Sequence, residues 1–100
     1  MTNTPTPPYY AVIFTYEESD NSTGYAEMSA RVNEIVKTQP GYLGVDDAKS
    51  EIGISVSYWK DLESINGWRN NLEHSEAKAR GNKQWYTRYK VRIARVEQEY

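Results

Sequence analysis

Residues 58–81, YWKDLESINGWRNNLEHSEAKARG, decide how the rest of the chain is arranged. They read as a strand end, a turn and a helix. Asp61 follows the apolar-rich run Ile52 to Lys60 and can cap a helix, accepting backbone N–H groups that otherwise go unpaired. Glu63 falls in the first turn, where a carboxylate meets the positive end of the helix dipole. Ile65, Trp68 and Leu72 recur at i, i+3 and i+7 and so share one face. His74, the only histidine, lies on a different face of a regular helix. Asn70 and Asn71 predict a bend or a cap, because Asn side chains compete for backbone bonds. Ala77 and Lys78 continue beyond it, and Gly81 is a natural stop.

Working back from this stretch, Ile52, Ile54, Val56 and Tyr58 share one strand face, and Gly53, Ser55, Ser57 and Trp59 the other. Tyr42 to Ser50 reads as a weaker strand with Asp46-Asp47 inside it. The short link at Ser50-Glu51 predicts an antiparallel hairpin. Before that, Tyr25, Met28, Val32 and Ile35, with Val36 beside them, define an amphipathic helix capped by Ser22 or Thr23 and ended by Pro40-Gly41. Tyr9 to Tyr16 is β-branched and aromatic on both faces, which predicts a central strand: Tyr10, Val12, Phe14 and Tyr16 point one way, Ala11, Ile13 and Thr15 the other. Met1 to Pro8 is rich in Thr and Pro and reads as a flexible tail ahead of a single domain, residues 9–100. Working forward, Trp85 to Glu97 is the fourth strand. Simple alternation puts Trp85, Thr87, Tyr89, Val91 and Ile93 on one face and Tyr86, Arg88, Lys90 and Arg92 on the other.

The resulting order, βαββαβ, specifies an α+β, ferredoxin-like fold: a four-stranded antiparallel sheet with two helices on one face. The other face carries apolar and aromatic residues mixed with polar ones. A homodimer with the two sheet faces opposed, closing a dimeric α/β barrel, would cover it.

Composition narrows the function classes. Twelve basic and fourteen acidic side chains nearly cancel, which gives no footprint for nucleic acid. There is no cysteine, which excludes disulfides and thiolate chemistry and fits a reducing, cytoplasmic setting. No apolar run approaches a membrane span, and no secretory signal opens the sequence. One histidine excludes a two-His metal site within the chain, and Asp46 and Asp47 point to opposite strand faces, so no metal site is expected. No glycine-rich phosphate loop is present. Nine tyrosines and three tryptophans stand out in so short a chain. They supply either core packing or an aromatic-lined pocket or interface.

The candidate catalytic residues are His74, whose reference pKa near ~6.5 suits proton transfer, and Asn71, whose amide can stabilise an oxyanion. The candidate substrate-binding surfaces are Trp68, Trp59, Trp85 and Tyr89, around a space between helices and sheet. Each has a structural alternative: a surface histidine, a helix-bending asparagine, tryptophans that are simply core.

The segments PGYLGVD (40–46), YWKDLESINGW (58–68) and EHSEAKARGNKQWYTRYKVRIARVE (73–97) resemble the antibiotic biosynthesis monooxygenase family, a bacterial group of dimeric α/β-barrel proteins, over roughly Tyr9 to Tyr100. The similarity is greatest to its uncharacterised branch. The resemblance implies oxidation of a small aromatic or quinol-type substrate by O2 without metal or flavin, hence an oxidoreductase with no cofactor. One branch of the family binds and degrades haem instead. It pairs a first-strand asparagine and a second-helix tryptophan with a haem-ligating histidine. Trp68 matches the tryptophan, whereas Tyr9 to Tyr16 contains no asparagine and the position expected for the histidine is Lys78. Haem binding, or a non-catalytic small-molecule-binding dimer, is therefore the alternative expectation.

Overall fold

A computed structural model describes residues 1–73 and 85–100. The elements are β1 (Tyr9–Glu18), α1 (Tyr25–Val36), β2 (Tyr42–Lys49), β3 (Gly53–Trp59), α2 (Leu62–Glu73) and β4 (Tyr86–Val96). All strand pairs are antiparallel and the sheet order is β2-β3-β1-β4. This is the ferredoxin-like arrangement expected from the element order, and the aromatic, β-branched β1 occupies a central position.

The pairing fixes the two faces. Tyr10 stands opposite Trp59, Val12 opposite Ser57, and Tyr16 opposite Gly53. Directly opposed residues of an antiparallel pair share a face, so Tyr10, Val12, Phe14 and Tyr16 join the Trp59 face. The helices cover this face: Val36 of α1, Trp59 of β3 and Ile65 of α2 form the buried core, with Tyr10, Val12, Tyr42 and Trp68 packed against it. In α1 the inward residue of the last turn is Val36, while Ile35 is exposed. In α2, Ser64 donates to Asp61 Oδ1 from both its backbone N–H (2.8 Å) and its hydroxyl (2.7 Å), so Asp61 caps this helix as expected.

Two local expectations are corrected. The residue before α1 is Gly24 at φ 80°, with no side-chain cap from Ser22 or Thr23. A turn closed by the Tyr25 N–H to the Ser22 carbonyl (3.0 Å) demands the left-handed conformation there, which glycine adopts without penalty. In β4, the register against β1 shifts between Glu17 and Glu18: Arg88 faces Glu17, but Tyr86 faces Glu18. The extra residue, Thr87, breaks the alternation. Tyr86 therefore joins Tyr89 on the helix side rather than Arg88 on the open side, and the two rings lie 6.1 Å apart.

The open face carries Tyr9, Ala11, Ile13, Val56 and Tyr58. At one end the N-terminal segment reaches it: the Thr2 N–H donates to Asp46 Oδ1 (2.8 Å), and the Tyr58 hydroxyl donates to Asp46 Oδ2 (2.9 Å). Ile52 and Ile54 stay exposed further along. On the helix side, the edge strand β4 keeps Tyr89, Val91 and Ile93 at 45%, 52% and 46% exposure. No helix among the described residues is long and apolar enough to cross a membrane.

Candidate functional site

The helix-side face holds two aromatic clusters at opposite ends of β1, about 20 Å apart by strand rise from Tyr10 to Tyr16. The first lies beneath α2. Trp68 stacks on Trp59 with ring centroids 6.3 Å apart and planes at 26°, and Tyr42 meets Trp59 edge-on at 5.3 Å. Trp59 has no exposed surface, and its indole N–H donates to the Ser57 hydroxyl (2.9 Å). Trp68 is half-buried, and Asn71 is exposed three residues further along. The rings here pack on each other, with Trp68 leaving part of its surface open. His74 lies outside the described residues.

The second cluster forms where β1 ends, β4 begins and α1 starts. Phe14 stacks on Tyr16 (5.0 Å, 25°), and Tyr86 meets both edge-on at 5.3 and 5.1 Å. Tyr89 closes on Phe14 at 6.0 Å. Tyr25, first residue of α1, packs edge-on against Trp85 (5.6 Å) and Tyr86 (6.1 Å). Trp85 is buried; its indole N–H donates to the Thr23 carbonyl (2.9 Å), pinning the start of α1 to the sheet. Gly53 makes room for the Tyr16 ring, which occupies the place a Cβ would take. Thus the structure brings Trp59 and Trp68 together at one end, and Trp85 and Tyr89 into the cluster at the other.

This second cluster carries polar groups. The Tyr16, Tyr25 and Tyr86 hydroxyls interact in a row, with Tyr25 between the other two. Burial pushes Tyr16 and Tyr25 up to about 12, helped at Tyr16 by its bond to Tyr25 and at both by the negative charge of Glu18, while at Tyr25 the bond with Tyr16 works the other way. Tyr86 is raised mainly by burial. All three therefore stay protonated at neutral pH and can act as hydrogen-bond donors and as a short proton path. Glu18, on the same face, pairs with Lys49 at 2.6 Å, and the Lys49 ammonium sits 6.0 Å from the Tyr25 ring centre. The other Glu18 oxygen, Oε1, is buried and has no hydrogen-bond partner among the described residues.

Sequence reasoning missed Tyr16, Tyr25, Tyr86, Glu18 and Lys49 as one group. Four elements, β1, α1, β2 and β4, converge to build it, and the Thr87 bulge brings Tyr86 round. The one available signal was the tyrosine surplus. Among the described residues no group of His, Cys, Asp and Glu could hold a metal ion.

No family model matches the chain. YqjZ of Bacillus subtilis, an uncharacterised protein, is 45% identical across 99% of this chain and 89% of its own length. Among solved structures, SnoaB of Streptomyces nogalater, a cofactor-independent oxygenase, superposes with a TM-score of 0.71 at 13% identity, covering 93% of this chain and 97% of its own. A candidate antibiotic biosynthesis monooxygenase of Nitrosomonas europaea gives 0.71 at 12%, covering 98% and 96%. PA3566 of Pseudomonas aeruginosa gives 0.69 at 13%, covering 97% and 100%. At these identities the likeness establishes the fold, which is that of antibiotic biosynthesis monooxygenase-like proteins.

Proposed function

We propose that this chain, which belongs to the same family as YqjZ of Bacillus subtilis, is an oxygenase-like protein that holds a small electron-rich aromatic on the helix side of its sheet and oxidises it with O2. The observation that carries this reading is the tyrosine cluster: half-buried rings, three hydroxyls held protonated, and a carboxylate beside them. Rings offer a stacking surface for an aromatic substrate. The hydroxyls offer donors to an oxygen that gains negative charge as the substrate is oxidised. The fold shared with a cofactor-independent oxygenase supports the choice of O2 as oxidant without a bound cofactor.

The α2 end is the second station in this proposal, with Trp68 as ring surface and Asn71 and His74 as handlers of an oxyanion and a proton. Oxygen consumption with a panel of hydroquinones tests the function, and variants assign the end. Uptake abolished in Tyr25→Phe and Tyr86→Phe but kept in His74→Ala places the chemistry at the tyrosine cluster; the reverse places it at α2. Absence of uptake with every hydroquinone overturns the oxygenase reading. Titration with haem on the same samples separates the alternative: a Soret shift lost in His74→Ala would favour haem binding.

The assembly proposed is a homodimer closed through the open sheet faces, in the cytoplasm, with no nucleic-acid partner. Exposed Ile52 and Ile54 beside the half-buried Ile13 and Val56 support an interface there. Sedimentation velocity at micromolar protein should give the dimer mass; a monomer at that concentration removes the barrel.

A further inference from the structure

Glu18 Oε1 is the feature of the tyrosine cluster that the described residues leave unmet. The side chain is only 24% exposed, and Oε2 is taken by Lys49 at 2.6 Å. Oε1 is buried without a hydrogen-bond partner among the described residues. None of the neighbouring Tyr16, Tyr25 and Tyr86 hydroxyls bonds to it. A buried acceptor without a donor is costly, and more so when it carries charge. Such an oxygen is a ready station for a donor brought by a ligand.

The surroundings say what kind of donor. Phe14, Tyr16, Tyr86 and Tyr89 present ring faces and edges on the same side of the sheet. Lys49 already balances the Glu18 charge, so a cationic ligand is not required. Tyr86, directly across from Glu18 in the sheet, keeps a protonated hydroxyl that can donate to an oxygen. A planar ring bearing a free hydroxyl meets all three demands.

We infer that Glu18 is a specificity-determining residue: its Oε1 accepts the hydroxyl of a phenolic ligand whose ring packs against Phe14, Tyr86 and Tyr89, so that ligands with a free phenolic hydroxyl are preferred to their ethers. This rests on the reading that the chain takes a small electron-rich aromatic, and it is tested without turnover. The experiment is calorimetric titration of the whole protein under argon with 1,4-dihydroxynaphthalene, its monomethyl ether and its dimethyl ether. The free hydroquinone should bind at least about tenfold tighter than the dimethyl ether, the size expected of one charge-assisted hydrogen bond. In Glu18→Gln that preference should fall below about threefold, since the acceptor loses its charge.

Equal binding of hydroquinone and dimethyl ether by the unaltered protein, or a full preference retained in Glu18→Gln, overturns the role of Glu18 and leaves the aromatic-binding reading standing. Binding of none of the three compounds overturns both. The ether series uses the unaltered protein, so the inference stays open to refutation even where Glu18→Gln fails to fold.

Discussion

Raising the pH should weaken this fold through its tyrosines. Tyr16 and Tyr25 are pushed up to about 12, first by burial, with the charge of Glu18 adding to both. In the unfolded chain they ionise near pH ~10. Between those values the native state keeps protons that the unfolded state has lost, so stability falls as pH rises. The stabilisation is fully present below about pH 10 and gone above about pH 12. A shift of about two units corresponds to about 2.7 kcal/mol per tyrosine, and partial exposure of both side chains cuts this to about 1 kcal/mol each. A fall of about 2 kcal/mol in unfolding free energy is therefore expected from this pair across the alkaline range. Tyr42, Tyr58 and Tyr86 are raised too and act in the same direction. The assay pairs near-ultraviolet tyrosinate absorbance with urea unfolding at stepped pH. Two waves should appear, the later coinciding with the falling urea midpoint, and Tyr25→Phe should shrink the later wave. A single wave near pH ~10 covering all nine tyrosines, with circular dichroism and urea midpoint unchanged, would refute the buried hydroxyl chain.

Trp59→Ala should cost about 3–5 kcal/mol in urea unfolding, because a fully buried indole leaves a void between Tyr42 and Trp68. Gly53→Ala should lower the melting temperature by forcing the Tyr16 ring aside; the double variant with Tyr16→Ala should recover part of that loss, and equal losses in both would show that the ring is not the obstacle. Asp61→Ala should destabilise the protein at neutral pH by uncapping α2. Bonds from Ser64 hold the Asp61 carboxyl below its usual range, so its contribution exists above the unfolded value near ~3.9 and disappears as pH falls through the folded one; the variant and the parent should converge in acid.

Periodicity made most of the fold legible. The faces of β1 and β3, the inward stripe Ile65–Trp68 of α2 and the Asp61 cap all follow from spacing and side-chain chemistry, and all are seen. Spacing cannot reveal where a strand slips. Nothing in Trp85 to Tyr89 announces that Thr87 is extra, so alternation alone sends Tyr86 to the wrong side. The same limit hid the candidate site. Nothing in the sequence marks Glu18 and Lys49 as a pair, and Tyr25 reads as one more apolar helix residue; only the register of the strands and the Gly24 turn bring them together. Trp59 and Trp68 were legible as a ring surface, and the structure stacks them with Trp59 buried beneath Trp68.

The slip at Thr87 also changes how relatives should be compared. Tyr86-Thr87-Arg88-Tyr89 shows two rings to one side because one residue is looped out of phase. A homologue one residue shorter here, reading Tyr-Arg-Tyr, would show the same pair by plain pleating. The two spellings describe one surface, and an alignment that scores the missing residue as a lost aromatic would hide the kinship.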